Sequence, residues 1–253
     1  MQKISQIKIS TSNEFFNQKI KFKYKLVDYY NKKKPAIFWG MYRDEDVLAL
    51  ENHNNLCVVI WRGSDAMNVK KYADRIKKIK NIRHISISSF IKNSLDKNGI
   101  ISELIPIRPT ENIINVKPRG NKLYFYYGKN TEKAWSFYGG NIVDKIKKII
   151  PYEIILATKD TYNENELQKI YEDCFLGLRL TDHDGIANTV CEMGLMGRNC
   201  IHNGDIPNSL KYNSIDDIVE IIHKEYQNKN LENLLIADNV YKYLDIGENW
   251  LYV

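Results

Sequence analysis

The sequence predicts an α/β protein made of two consecutive parallel-sheet units, and three observations carry that prediction. Short apolar runs of strand length alternate with segments of helical periodicity, a polar stretch holding Pro118, Arg119 and Gly120 interrupts the alternation once, and the rhythm then resumes. Short strands separated by helices imply parallel pairing with both sheet faces covered. At 253 residues the chain can hold two such units. Its 43% hydrophobic and 27% charged residues fall near the globular average and exclude wholesale disorder or a fibrous chain.

In chain order, the opening is ambiguous: Phe15, Phe16, Ile20, Phe22, Leu26, Val27 and Tyr30 fit a helix as well as strands. After the break Lys33-Lys34-Pro35, Ala36–Gly40 reads as a buried strand, Asp44–Asn52 as a helix and Leu56–Trp61 as a second strand, one βαβ unit. Val69–Lys80 then reads as a helix, Arg83–Ser88 as a strand, Ser89–Asn98 as a helix stopped by Gly99, and Ile101–Ile107 as a strand ending before Pro109. Thr110–Gly120, without apolar periodicity, is the expected linker, dividing the chain into domains 1–117 and 118–253. Beyond it come a strand at Leu123–Tyr127, a helix at Ile142–Ile150, a strand at Tyr152–Thr158, a helix at Glu164–Asp173 and a strand at Phe175–Leu180. A helix over Asn188–Met196, a strand at Asn199–His202 and helices at Ser214–Tyr226 and Leu231–Tyr243 complete the reading. Ser214, three residues ahead of Asp217, opens the first of those two helices as a loose capping box. The last helix has the option of packing back on the N-terminal domain.

Several function classes recede on charge and composition. The net charge of +6 comes from 37 Lys and Arg against 31 Asp and Glu, which permits an anionic ligand without requiring one. The densest basic cluster, Arg75 to Arg83, reads more simply as a solvated helix face than as a nucleic-acid surface. Four cysteines (Cys57, Cys174, Cys191, Cys200) form no Cys-x-x-Cys pair and no zinc-like spacing with the five histidines, so reduced, buried thiols are expected. The longest apolar run, Leu56–Trp61, is far short of the roughly 18 residues of a spanning helix, and the first residues lack a signal core. A cytoplasmic location is the expectation.

The segment Gly177–Arg198 concentrates the chemistry. A strand ends in the polar turn Thr181-Asp182-His183-Asp184-Gly185, and a helix follows whose first N–H groups lack internal partners and whose dipole is positive at that end, a ready site for phosphate. Asp184 and Glu192 are eight positions apart, about 12 Å of helix rise. One acid therefore stands at the helix mouth and the other further along, placed to hold hydroxyl groups on either side of a bound diphosphate. Each carboxylate oxygen can accept a charge-assisted hydrogen bond from a sugar.

At these residues the sequence resembles the nucleotide-sugar glycosyltransferases of the GT-B fold, in particular the family-four-like group with a Glu-x7-Glu motif. The pattern appears here as Asp184-Gly185 through Glu192 to Gly197. The resemblance implies two Rossmann-like domains facing a cleft, with the nucleotide-sugar donor on the C-terminal domain. It gives ribose binding to Glu192 and contact with the transferred sugar to Asp184, where Asp is one methylene shorter than the family's Glu. Tyr124–Gly128 with Lys129 resembles the first strand of the donor domain, and Lys129 and Lys133 take the diphosphate, with Arg179, Gly185, Asn188 and Thr189 as further donor-binding candidates. Tyr162 falls where the nucleobase is expected. Trp61–Asp65 resembles an acceptor-side strand and loop of the N-terminal domain, with Asp65 as a candidate catalytic base and Arg43 and Arg62 as candidates for an anionic acceptor.

Against the family pattern the N-terminal half is short, so a reduced N-terminal domain is expected. The implied activity is transfer of a sugar from a nucleotide-diphosphate sugar to a glycan or glycoconjugate hydroxyl, leaning to retention of anomeric configuration. No metal or other cofactor is expected, the diphosphate being met by cationic side chains and the helix terminus. Plainer readings stand beside these: Asp184 as a helix cap, Glu192 and the two lysines as surface residues, Tyr162 as a packing residue, Asp65 as a loop cap. Alternative functions are a nucleotide-sugar epimerase or hydrolase on the same scaffold, a basic nucleic-acid-binding module, and a degenerate relative that binds without turnover.

Overall fold

In the computed structural model, residues 2–109, 115–229 and 233–252 are described. The chain divides into two units, Met1–Glu111 with Leu244–Val253, and Asn112–Tyr243. The N-terminal part of the expected linker, Thr110 to Ile114, lies outside the described residues, as does the expected start of the last helix at Leu231.

The first unit contains β1 (Gln6–Ile9), α1 (Asn17–Tyr24), β2 (Val27–Asp28), β3 (Ala36–Trp39), α2 (Asp44–Glu51), β4 (Cys57–Trp61), α3 (Ser64–Met67), α4 (Ala73–Ile76), β5 (Ile82–Ser86), α5 (Ser89–Asp96) and β6 (Glu103–Leu104). All six strands pair in parallel in the order β2-β1-β3-β4-β5-β6. Every residue of β3 and β4 is buried, as unbroken apolar runs in a doubly covered sheet require. α5 obeys its sequence signals: the Ser88 hydroxyl accepts from the Ile91 N–H, Ile91 and Leu95 are buried one turn apart, and Gly99 takes the left-handed φ of +71° that stops the helix.

Three expectations in this unit need correction. The ambiguous opening is strand, helix, strand, so the alternation begins at β1, before Pro35. The helix expected over Val69–Lys80 is only a single 3-10 turn at Val69–Lys71 and the short α4, with α3 preceding it at Ser64–Met67. The Asn68 side-chain amide donates to the Ser64 carbonyl, ending α3, while Val69, Tyr72, Ala73 and Ile76 still bury their apolar spacing. The strand expected over Ile101–Ile107 pairs only at Glu103 and Leu104, at the sheet edge. The tail returns to this unit: the Ile4 N–H donates to the Leu251 carbonyl, and the Trp250 ring packs edge-on to Tyr24 at 4.9 Å.

The second unit contains β7 (Lys122–Tyr126), α6 (Glu132–Phe137), α7 (Gly140–Ile146), β8 (Ile154–Ala157), α8 (Glu164–Glu172), β9 (Cys174–Leu178), α9 (Asn188–Leu195), β10 (Asn199–Ile201), β11 (Ser209–Leu210), α10 (Ile215–Gln227) and α11 (Leu234–Leu244). Its parallel strands run in the order β11-β10-β9-β7-β8. α6 and β11 escape the sequence pattern because α6 buries no side chain and β11 is two residues long. The Ser214–Asp217 capping box forms as the spacing predicts and opens α10. Leu123 and Phe125 of β7 face one way, into a core with Val143, Ile146, Ile218 and Ile222, so Tyr124 and Tyr126 project to the opposite face.

A fully buried guanidinium ties this unit together. Arg198 donates to the carbonyls of Tyr171, Glu172, Cys174 and Met196 and to those of Lys117 and Pro118. It has no carboxylate among these partners, and burial pulls its pKa down to about 10. The neighbouring Arg119 pairs with Glu225 at 3.0 Å, so Lys117–Arg119 are fixed to the body of the second unit instead of hanging as a free linker.

Candidate active site

In a parallel sheet of this order the chain passes from β7 outward to β8, then back across β7 to β9. The point between β7 and β9 is therefore a topological switch, where the connections leave in opposite directions and open a crevice beyond the carboxyl ends. Lys129 follows β7 within three residues, Arg179 follows β9 immediately, and the turn Thr181–Gly185 leads from there into α9. The fold thus gathers one shared mouth from residues singled out in two distant stretches of sequence.

On the β7 side, Gly128 holds a φ of +74°, and a Cβ there would come within 2.6 Å of the Tyr138 ring. Its carbonyl accepts from the Lys159 N–H at 2.8 Å, binding the loops after β7 and β8 together. Lys129 and Lys133 are exposed and, among the described residues, neither pairs with a carboxylate. The Thr131 hydroxyl accepts from the Ala134 N–H and caps the helix that carries Lys133.

On the β9 side, Arg179 is buried and its Nη2 and Nε lie 2.5 and 2.6 Å from Asp184 Oδ2. Its guanidinium carbon sits 4.6 Å from the Tyr138 ring centre and 5.8 Å from that of Tyr126, a cation held between aromatic faces. Burial works against the charge, but Asp184 and the two phenols outweigh it and hold the pKa above its ordinary value. The other Asp184 oxygen accepts from the Gly185 N–H at 2.9 Å. The two candidates expected to act separately, Arg179 and Asp184, therefore hold each other here.

α9 starts at Asn188 with no side-chain cap, since Ala187 stands at the capping position. Asn188 and Thr189 occupy the first turn and are partly buried. Glu192, in the second turn, is partly buried, and its Oε2 accepts from the Tyr171 hydroxyl at 3.0 Å. Tyr171 packs edge-on against Tyr124 at 5.0 Å on the face of β7 opposite the aliphatic core. Gly194, two residues on, lets α9 approach closely: a Cβ there would fall 2.7 Å from Asn208 and Val240.

Tyr162 lies in the loop between β8 and α8, partly buried, one strand removed from the switch. His183 stacks edge-on with Phe137 at 5.3 Å. Sequence reasoning passed over Tyr126, Tyr138, Tyr171 and His202. His202 follows β10, with Nδ1 at 3.3 Å from the Arg179 carbonyl; a carbonyl only accepts, so Nδ1 carries the proton. Among the described residues its buried Nε2 has no hydrogen-bond partner, and burial lowers the imidazole pKa. The chain holds 17 tyrosines, and only the fold selects which of them surround Arg179 and Glu192.

The three candidates of the first unit take another character. Asp65 is 1% exposed, and its carboxylate accepts from the N–H groups of Met41, Arg62 and Gly63 at 3.2, 3.1 and 2.7 Å. This is the geometry of a clamp on two loops. Arg62 lies 4.5 Å from the Trp39 ring centre, and burial pulls its pKa down to about 10. Arg43 is exposed, 3.6 Å from Glu45.

Two Asp-x-Asp triplets bear on a metal, Asp44-Glu45-Asp46 and Asp182-His183-Asp184. Asp46 accepts from the Ser10 hydroxyl and Asp184 holds Arg179; among the described residues no group of three or more His, Cys, Asp or Glu side chains converges as a metal site. Among the same residues no helix is long and apolar enough to cross a membrane. None of the four cysteines forms a disulfide, and all four are buried, as expected.

No protein-family model matches the chain, and no curated protein matches it in sequence. Solved structures do match. Sucrose-phosphate synthase from Thermosynechococcus elongatus aligns with a TM-score of 0.62 at 10% identity, over 94% of this chain and 74% of that one. A glycosyltransferase from Rickettsia africae aligns with a TM-score of 0.59 at 11% identity, over 95% of this chain and 93% of that one. TarM from S. aureus, in a complex with UDP, fondaparinux and α-GlcNAc-glycerol, aligns with a TM-score of 0.53 at 13% identity, over 91% of this chain but 55% of TarM. At such identities the likeness is one of fold. The two parallel sheets and these neighbours together establish an α/β architecture of the GT-B type, consistent with the reduced form expected from the sequence.

Proposed function

We propose that this protein transfers a sugar from a nucleotide-diphosphate sugar to an acceptor hydroxyl. The observation that carries the reading is the mouth between β7 and β9, where a helix start that Ala187 does not cap, the buried Arg179 with its partner Asp184, and Lys129, which among the described residues pairs with no carboxylate, meet, with Glu192 one turn along α9. The fold neighbours support it, one of them having been captured with UDP. In this reading the pyrophosphate lies across the start of α9 and draws the Arg179 guanidinium to itself, since phosphate offers Arg the same planar, two-pronged match as a carboxylate. Asp184 is released to accept from a hydroxyl of the transferred sugar, and Glu192 accepts from the ribose.

As the bond between the anomeric carbon and the diphosphate oxygen breaks, the charge gathering on the leaving group is met by Arg179, Lys129, Lys133 and the first N–H groups of α9. The acceptor oxygen bonds to the anomeric carbon and its proton passes to solvent or a base. Because cationic side chains supply the counter-charge, the reaction is expected to proceed without a metal, and a chelator should leave the rate unchanged. Retention of anomeric configuration belongs to the same reading.

The test is turnover of UDP-, GDP- and ADP-sugars with and without a panel of glycan acceptors. Nucleoside diphosphate released only when acceptor is present supports the proposal. Product formed without acceptor points instead to an epimerase or hydrolase, and binding without turnover across the panel to a non-catalytic relative.

A further inference from the structure

The geometry points to Tyr171 as a positioning residue that fixes Glu192 for the ribose and so sets the preference for ribonucleotides over deoxyribonucleotides; this rests on the proposed donor site. Tyr171 sits in the last turn of α8, is 2% exposed, and donates from its hydroxyl to Glu192 Oε2 at 3.0 Å. Tyr124, in the middle of β7, packs edge-on to its ring at 5.0 Å. A strand residue thus braces the phenol ring from the side of the sheet. Burial, followed by the charge of Glu192, pushes the Tyr171 pKa well above the ordinary phenol value, so it remains a neutral donor across the physiological range.

The consequence lies in the carboxylate's orientation. With Oε2 held by a buried donor, the Glu192 carboxylate is tied to one direction, and each carboxylate oxygen can accept more than one hydrogen bond, so a further donor can be added to it. A glutamate in the second turn of a helix ordinarily samples several rotamers and loses that entropy on binding. Here the loss is met in folding. A ribose hydroxyl is the donor such a fixed acceptor rewards, and a deoxyribose lacks that donor. Tyr171 itself need not touch the nucleotide.

The test is calorimetric titration with UDP, GDP and ADP and with the 2′-deoxy and 3′-deoxy counterparts of whichever binds most tightly. The native protein should favour the ribonucleotide over at least one deoxy form by about tenfold or more. Tyr171→Phe should weaken the ribonucleotide about fivefold to tenfold, leave that deoxy form within twofold, and so erase the discrimination. Preserved discrimination in a folded Tyr171→Phe protein overturns the inference. Glu192→Gln gives an independent reading should that variant fail to fold. The Tyr171 hydroxyl would take the amide oxygen and turn the NH₂ outward, so affinity should fall as far as in Glu192→Ala; native affinity in Glu192→Gln overturns the inference. The underlying site fails separately: it is lost if Glu192→Ala keeps the native discrimination or if no diphosphate binds, whereas loss in Glu192→Ala with retention in Tyr171→Phe removes only the role given to Tyr171.

Discussion

The two sheets share one strand order, with the first strand flanked by the second and third, yet their carboxyl ends are built in opposite ways. In the first unit two acids beyond β3 and β4, Asp46 and Asp65, are sealed in. Asp46 accepts from the Ser10 hydroxyl and from the N–H groups of Tyr42 and Arg43, and Asp65 from three backbone N–H groups. In the second unit Asp184 and Glu192 are partly exposed and held by the side chains of Arg179 and Tyr171, with one backbone N–H, that of Gly185, on Asp184, beside a helix that Ala187 does not cap. Side chains can turn to a ligand; backbone amides cannot leave without unfolding a loop. The same topology thus spends its carboxylates on architecture in one unit and keeps them available in the other.

The sharpest way to break this contrast is Asp65→Ala. Three backbone amides would lose a charged acceptor in a buried loop, at roughly 1–3 kcal/mol for each unsatisfied group, so denaturant unfolding should show a loss of at least about 3 kcal/mol. A variant of native stability with abolished turnover would instead restore the catalytic reading of Asp65. Next in size is a response to acid. Burial pulls the His84 imidazole, which accepts from the Trp61 indole, down to about 4 from its usual 6.5. The unfolded chain then takes the proton first, so this contribution to stability is complete above pH 6.5, falls as pH drops and is spent near pH 4. Over that window it amounts to about 3 kcal/mol. His84→Gln should flatten the part of the slope due to this residue in urea unfolding followed from pH 7 to pH 4.

Smaller effects sharpen the other side of the contrast. Glu192→Ala should weaken nucleoside diphosphate binding tenfold or more, about 1.4 kcal/mol, while its melting temperature moves by only a few degrees. Lys129→Ala and Lys133→Ala should each weaken binding a few-fold, about 0.5–1 kcal/mol as for exposed charges, and reduce its salt dependence. Lysines whose removal changes neither quantity are ordinary surface residues.

How much of this was legible in the sequence follows from the same physics. The buried strands Ala36–Trp39 and Cys57–Trp61 and the capping box at Ser214 announce themselves, because each is a local signal that packing reinforces. The first strand does not: Gln6–Ile9 is four residues of mixed polarity, and its strand character comes from pairing with β3. The spacing of Asp184 and Glu192 drew attention to the proposed site, since a strand, a turn and a helix in sequence already place a dipole. The ion pair between Arg179 and Asp184 and the hydrogen bond from Tyr171 to Glu192 were beyond reach, because each depends on where one loop or helix falls against another. Asp65 shows the converse. Its position in a loop after a strand suits a base and a clamp equally, and only burial with three amide donors tells them apart.

The most direct test of the central claim is a crystal structure of the protein soaked with the nucleoside diphosphate that binds most tightly in solution. The account predicts diphosphate density beyond the ends of β7 and β9, within hydrogen-bonding distance of the α9 start, with Arg179 turned from Asp184 to the phosphates and Glu192 on the ribose. Density bound elsewhere, or a ligand at this mouth with the Arg179–Asp184 pair intact and Glu192 facing away, would contradict it.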